Sequence, residues 1–251
     1  MLLTIVGNGS MAKSLALGLE KEYEIEVVAR DIQKAKESLA GLKKPVEILQ
    51  LKGVSITGKN ILLCVKPNAL FDVATHLQGE ANMLISILAG VNIETLERNI
   101  LSDYTIRAMP NISAEFGSST TTITGSKEKK EETLAIFETI GEAFWVDSEK
   151  ELDIATAIGG SGPAFLSLVA EAMMDGGVKQ GLKRDMSMQL VASLFKGFGP
   201  LIQSEHPALI KDRVMSPAGT TAAGYSALED GKVRDAFIKA IEKSFKRTQK
   251  D

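Results

Sequence analysis

Residues 6–12 read VGNGSMA, and their glycine spacing can hold a diphosphate. Gly7, Gly9 and Ala12 form a variant of the Gly-x-Gly-x-x-Gly pattern. Gly7 permits a tight turn, Gly9 lets the backbone approach a pyrophosphate, and Ala12 is small enough for a helix to pack on its strand. The N-terminus of that helix offers unpaired N–H groups to phosphate oxygens. Short glycine patterns also recur by chance, so context decides. A tight strand-to-helix turn without a ligand is the alternative.

A second chemical marker lies at Ala29-Arg30-Asp31. Enzymes that use NAD usually place an acidic residue at the end of the second strand, against the ribose hydroxyls. Here the strand ends in Arg30, whose guanidinium can pair with a 2′-phosphate. NADPH is therefore favoured as cofactor. Asp31 keeps NADH open, because it could offset Arg30 or bind ribose itself. Only two histidines occur, His76 and His206, which argues against a histidine-rich metal site. No metal is expected. The single cysteine, Cys64, lies in an apolar run and reads as a small buried hydrophobe.

The elements that would position these residues follow from hydrophobic period. LLTIV at 2–6 and IEVVA at 25–29 read as buried strands, with helices over 10–21 and 31–40. Asp31 is a plausible cap for the second helix. Further strands are expected at 61–65, 83–88, 104–109, 118–124 and 143–146, with helices between 65 and 83 and over 127–140. Alternating strands and helices imply a mostly parallel sheet covered on both faces. From about residue 150 the period is helical throughout. Phe165, Leu168, Val169, Ala172 and Met173 make one apolar stripe; Leu190, Leu194, Phe198 and Leu201 make another; Val233, Phe237, Ile241 and Phe245 make a third. The predicted class is α/β: an N-terminal Rossmann-type domain over 1–149 and an all-helical domain over 150–251. So small a helical domain has few ways to bury three stripes alone, and a homodimer is expected.

Composition sets the remaining bounds. The 251 residues carry a net charge of −3, with 44% hydrophobic and 24% charged residues. Disorder and a nucleic-acid partner are disfavoured. With one cysteine and no basic leader, a cytoplasmic protein is expected. Charged residues interrupt every apolar run, so no membrane association is expected either. The residues after 247 look like a frayed tail.

Four later segments exceed what a generic nucleotide fold requires: CVKPN at 64–68, RAMPN at 107–111, GGSGPAF at 159–165 and SPAGTTAAG at 216–224. Together with VGNGSMA they resemble pyrroline-5-carboxylate reductase, in order and over essentially the whole chain. The resemblance implies reduction of 1-pyrroline-5-carboxylate to L-proline with NADPH or NADH, as the last step of proline biosynthesis. It also implies a helical dimerisation domain, further assembly into rings of dimers, and an active site shared by both domains and both protomers. Matched position by position, Val6, Gly7, Asn8, Gly9, Ser10 and Met11 form the pyrophosphate loop. Arg30, Cys64, Val65, Lys66, Pro67, Ile87, Leu88, Ala89 and Asn111 complete the cofactor contacts. Ser161, Glu205, Ser216, Ala218, Gly219, Thr220 and Thr221 surround the substrate, and Thr221 is the catalytic candidate, hydrogen-bonded to the ring nitrogen. A small imino acid fits such a site: backbone N–H groups at a helix N-terminus can hold its carboxylate without an arginine.

The chain departs from the family pattern at several positions. Ile112 and Ser113 stand where Thr-Pro is common. Gly159 replaces a usual serine, Phe165 a tyrosine, Arg213 an asparagine and Ala218 a glycine; Leu51-Lys52 occupies a region where an asparagine is frequent. A β-carbon at 218 is expected to require a negative φ. Two rival readings remain. One is a related NADP-dependent imine or 2-hydroxy acid oxidoreductase, whose catalytic lysine usually lies in the first helix of the helical domain; Lys179 and Lys183 come after GGSGPAF. The other is a non-catalytic dinucleotide-binding regulatory protein.

Overall fold

The computed structural model describes residues 1–249. It contains ten strands: β1 (Leu2–Val6), β2 (Glu24–Ala29), β3 (Glu47–Gln50), β4 (Val54–Ser55), β5 (Asn60–Leu63), β6 (Leu77–Gln78), β7 (Ala81–Ser86), β8 (Ser102–Met109), β9 (Ser119–Gly125) and β10 (Gly141–Trp145). Interleaved with them are α1 (Ser10–Leu19), α2 (Ile32–Ser38), α3 (Leu70–Ala74), α4 (Ile93–Asn99) and α5 (Lys130–Glu138). Six helices complete the chain: α6 (Glu149–Gly159), α7 (Gly162–Lys179), α8 (Arg184–Ser204), α9 (Pro207–Val214), α10 (Thr220–Asp230) and α11 (Val233–Thr248).

Eight strands form one sheet in the order β10-β9-β8-β7-β5-β1-β2-β3, and β4 pairs with β6 apart from it. Every pairing in the large sheet is parallel except β8 with β9. Period-two alternation explains the two cores. Leu3, Ile5, Val27, Leu62 and Ile85 face one side, packed on Leu15, Leu19 and Phe137. Val6, Val28, Ile61, Leu63 and Leu84 face the other, packed on Leu70, Val73 and Leu96. Edge strand β3 and helix α4 carried no strong period in the sequence and were not expected.

The chain falls into two compact units, residues 1–161 with 243–251, and residues 162–242. The first unit extends past the expected boundary at 149/150 because α6 packs on β8 and β9. Helix α6 starts where a reciprocal cap allows it. Ser148 Oγ accepts from the Glu151 N–H, and Glu151 Oε2 accepts from the Asp147 N–H. Its position is fixed by Arg107 on β8, which is 1% exposed. The guanidinium donates to Glu149 Oε1 and to Asp153 Oδ1, both at 2.9 Å. Glu149 Oε1 also accepts from the Ile93 N–H at the start of α4, and Asp153 Oδ2 accepts from Gln249 Nε2. One cation thereby ties together β8, α6, α4 and the C-terminal segment. The tail is not frayed at 248: α11 runs through Thr248, and Gln249 is anchored. Residues 250–251 of the expected tail lie outside the described residues.

The second unit buries little of its apolar surface. None of the residues of α7 or α10 is buried, and α8 buries only Ser187 and Val191. Leu168, Met173, Leu190, Leu194 and Phe198 are all exposed, as are Met186 and Met188. Much of the first two expected stripes therefore faces outward within one chain, while the third, Val233, Phe237, Ile241 and Phe245, is half-buried. The expectation that charges interrupt every apolar run needs correction. The helical stretch 149–179 is long and apolar enough, by length and composition, to cross a membrane, with a mean hydropathy of 1.3 in its most apolar window. Charges do interrupt it, at Asp153, Glu171 and Asp175, but too sparsely to lower its apolar character below that of a spanning helix.

Removing one partner from a buried ion pair strands the other, at a cost of roughly 3–5 kcal/mol. Arg107→Met is therefore expected to lower unfolding stability by about 3 kcal/mol. Urea denaturation reads this directly; an unchanged midpoint would show that the Arg107 network does not hold α6.

Candidate functional site

The carboxyl ends of β1, β2 and β5 open onto a cleft of about 340 Å³. Val6, Gly7, Asn8 and Gly9 form its floor, with Arg30, Asp31 and Lys34 on one rim and Cys64, Val65 and Lys66 opposite. Parallel pairing of β1 with both β2 and β5 produces this geometry, because three strand ends then point the same way. Gly7 has φ +122°, and a β-carbon there would lie 2.5 Å from the Cys64 carbonyl oxygen. Only glycine lets the β1 turn press against β5 in this way. Gly9 caps α1 with its own backbone and without a side-chain hydrogen bond; a β-carbon there meets nothing within 4 Å. The first-turn N–H groups of α1 thus stand beside open space at the cleft floor, which is what a diphosphate needs.

The rim at the end of β2 is settled by hydrogen bonds. Asp31 Oδ1 accepts from the Lys34 N–H at 3.0 Å and caps α2, while Oδ2 lies 3.6 Å from Lys34 Nζ. The backbone N–H of Lys34, and then its charge, hold the Asp31 carboxyl below the usual carboxylate range. Arg30 is exposed and pairs with Asp72 of α3 at 2.9 Å. Cys64 is buried, and burial pushes its thiol up, so it lines the cleft as an apolar surface.

The remaining expected cofactor residues divide. Pro67 and Ala89 line a neighbouring cavity of about 770 Å³, with Asn68, Gly90, Asn92 and Arg247. Ser10 and Met11 belong to α1 but do not line the cleft. Leu88 is buried in the sheet core, and Ile87 packs against the core on the other face. Asn111 is buried and held on both sides: Oδ1 accepts from the Ser113 N–H, and Nδ2 donates to the Gly159 carbonyl at 2.9 Å. Lys34 and Asp72 were not anticipated, and Asn68 only as the end of the CVKPN segment. Lys34 had a legible signal, lying one helical turn beyond Arg30.

In the second unit, Ser216 and Gly219 close a turn, with the Gly219 N–H donating to the Ser216 carbonyl at 3.0 Å. Pro217 occupies the first central position. Ala218, at the next, has φ +57°. The expectation of a negative φ at 218 is overturned. A Pro-led turn with its second central residue in the left-handed region is of the type II form, where glycine is preferred at that position. Gly219 then caps α10 with no side-chain hydrogen bond, and a β-carbon on it would meet Ser216 Oγ at 2.4 Å. Thr220 and Thr221 are the first residues of α10, so small residues leave their N–H groups uncovered. Glu205 ends α8 and pairs with Arg213 at 2.9 Å. His206 Nδ1 accepts from the Ala208 N–H and caps α9. Ser161 lies in the turn between α6 and α7, its N–H donating to the Thr156 carbonyl. Among the described residues no cluster of three metal-ligating side chains occurs.

The two glycines of the floor separate folding from binding. Gly9→Ala is expected to fold normally, since its β-carbon enters open space, yet to weaken dinucleotide binding by about tenfold. Gly7→Ala is expected to lose both. Thermal melts beside cofactor titrations check this; a Gly9→Ala protein that binds as tightly as the parent would sink the assignment.

Comparisons with known proteins agree with this layout. Residues 149–251 match the pyrroline-5-carboxylate reductase dimerisation family, and residues 2–90 match the family described as NADP oxidoreductase coenzyme F420-dependent. The pyrroline-5-carboxylate reductase of Helicobacter pylori is 35% identical, with 98% of each chain covered. That of Synechocystis is 36% identical over 98% of this chain and 97% of its own. The crystal structure of Plasmodium falciparum pyrroline carboxylate reductase with NADP bound superposes with a TM-score of 0.83, at 27% identity, covering 99% of this chain and 98% of that one. An expanse of likeness that takes in both the glycine floor and the helical half shows that the chain belongs to the pyrroline-5-carboxylate reductase family.

Proposed function

We propose that this protein reduces 1-pyrroline-5-carboxylate to L-proline by hydride transfer from NADPH, completing proline biosynthesis in the cytoplasm. Membership of the family along the whole chain carries this reading. The residues present fit the cofactor: Gly7, where a β-carbon would strike the Cys64 carbonyl, lets the turn lie close to β5, and Gly9 stands open at the start of α1. A bound nicotinamide supplies the hydride. The chain's own residues hold, orient and exclude.

Preference for the phosphorylated cofactor rests on how the β2 rim is used. Asp31 is committed to capping α2 and to Lys34, so it is poorly placed to accept from ribose hydroxyls. Arg30 and Lys34 then leave a cationic rim suited to a 2′-phosphate. On the substrate side, we assign the carboxylate to the N–H groups at the start of α10, with Ser216, Ala218, Gly219, Thr220 and Thr221 around it. Thr221 orients the ring nitrogen. The protonated imine accepts a hydride at its ring carbon and becomes a secondary amine, so no strong general base is required. Ser161 and Glu205 belong to the same proposal as pocket residues, Glu205 with its charge balanced by Arg213.

The exposed stripes of α7 and α8 are assigned to a second copy of the chain. A contiguous apolar surface on a small helical unit marks an interaction face, and this segment lies within the matched dimerisation family. The same assignment accounts for the apolar stretch 149–179 without a membrane. The domain boundary at 149/150 is kept as a functional one, since the dimerisation match begins at residue 149.

Two variants test the substrate side. Thr221→Ala is expected to lose most of kcat, about 10²-fold, while NADPH affinity stays within twofold. Loss of reduced-cofactor absorbance with pyrroline-5-carboxylate reads the first, and a binding titration the second; parental turnover would remove Thr221 from its role. Ala218→Gly relieves a left-handed alanine worth roughly 1–2 kcal/mol, offset in part by glycine's greater freedom when unfolded. The expected outcome is a small gain in melting temperature with turnover retained. A lower melting temperature would contradict the strain at 218.

A further inference from the structure

We propose that Asp72 is a cofactor-selecting residue that competes with the 2′-phosphate for Arg30 and so restrains the preference for NADPH over NADH. The inference rests on the reading that Arg30 meets that phosphate. It begins from an unexplained partner. Arg30 sits at the end of β2 on the cleft rim, and its guanidinium is held at 2.9 Å by the Asp72 carboxylate. Asp72 comes from α3, whose flanking residues Ala69 and Val73 line the same cleft. The pair therefore reaches from one wall of the cleft to the other, at the end where the adenosine ribose would lie.

Charge sets the two cofactors apart. The rim carries three cations, Arg30, Lys34 and Lys66. Asp31 is already engaged as the cap of α2 and by Lys34. Asp72 also stands 3.9 Å from His76 Nε2, one helical turn along. With a 2′-hydroxyl in place, the Arg30–Asp72 pair can persist, because nothing arrives that competes for the guanidinium. A 2′-phosphate brings close to two negative charges. Arg30 must then be shared or surrendered, and Asp72 is left beside a like charge. Both consequences act against NADPH alone. The two side chains are 60% and 57% exposed, so solvent screening keeps the effect modest, on the order of two- to tenfold in affinity.

The test uses the full-length protein with Asp72→Asn, Arg30→Ala and the double variant. Asparagine is nearly isosteric and the site is exposed, so melting temperatures should match the parent and confirm folding. Dissociation constants for NADPH and NADH are measured by titration at one fixed ionic strength. Asp72→Asn is expected to tighten NADPH by about two- to tenfold and to move NADH by less than twofold. In the Arg30→Ala background, the same change should have a much smaller effect on NADPH. An unchanged NADPH constant in Asp72→Asn, or equal shifts for both cofactors, would overturn the proposal. The Arg30→Ala variant keeps the two readings apart. If it binds NADPH as the parent does, the assignment of Arg30 falls and Asp72 with it. If it weakens NADPH while Asp72→Asn changes nothing, Asp72 alone falls.

Discussion

At Gly7 the direction a side chain would take is already filled by the Cys64 carbonyl, 2.5 Å from where a β-carbon would stand. This contact between backbones exists because β1 pairs in parallel with β5, and Cys64 continues that pairing by donating its N–H to the Val6 carbonyl. The turn has no room to swing outward, so the chain must enter α1 at once. The N–H groups of α1 are then presented at the end of the sheet, where β2 also terminates. Arg30, Asp31 and Lys34 become a rim only because the floor is pinned there. Loosening the Gly7 contact would lower the floor and uncouple the rim from it.

The rim shows how one residue type can serve opposite chemistries. An acid after β2 is the usual mark of a ribose contact. Asp31 meets the positional rule and fails the geometric one, because its Oδ1 is used by the Lys34 N–H. Short polar side chains compete for local backbone donors, and at the start of a helix they commonly win. The helix cap thereby commits the acid to α2 and leaves Arg30 as the exposed cation at the end of β2. Asp72, which arrives from a different strand-to-helix connection, restores part of the lost negative charge.

Much of this was legible in the sequence where residues have one job. The apolar runs at 2–6, 61–65 and 83–88 are buried from both faces, and their strands lie within two residues of the expected positions. The cap at Asp31 was also legible, since it depends on three neighbouring residues. Contacts between distant segments were not. Nothing local reveals that Arg107 would be buried against Glu149 and Asp153, or that Asp72 would face Arg30 across the cleft. Edge strand β3 was missed because its residues are only half-buried and carry a weak period. The bonds of Asn111 to Ser113 and to the distant Gly159 carbonyl were likewise not legible from its place at a strand end.

Ala218 stands furthest from what local rules allow. Proline at 217 fixes the first half of the turn, and the Gly219 N–H must reach the Ser216 carbonyl to close it. Those two demands are also met by a turn with negative φ at residue 218, so the left-handed form adopted here is one of two that Pro217 admits. Strain of this kind persists only where the surroundings over-determine it. Here the surroundings include the proline, the Gly219-to-Ser216 backbone hydrogen bond, and Ser216 Oγ standing where a β-carbon on residue 219 would have to go. The turn lies directly before α10, so its form sets the direction in which the first N–H groups of the helix are aimed. An alanine that resists the turn, where glycine would accept it, makes the alignment of those groups less secure while leaving their chemistry unchanged.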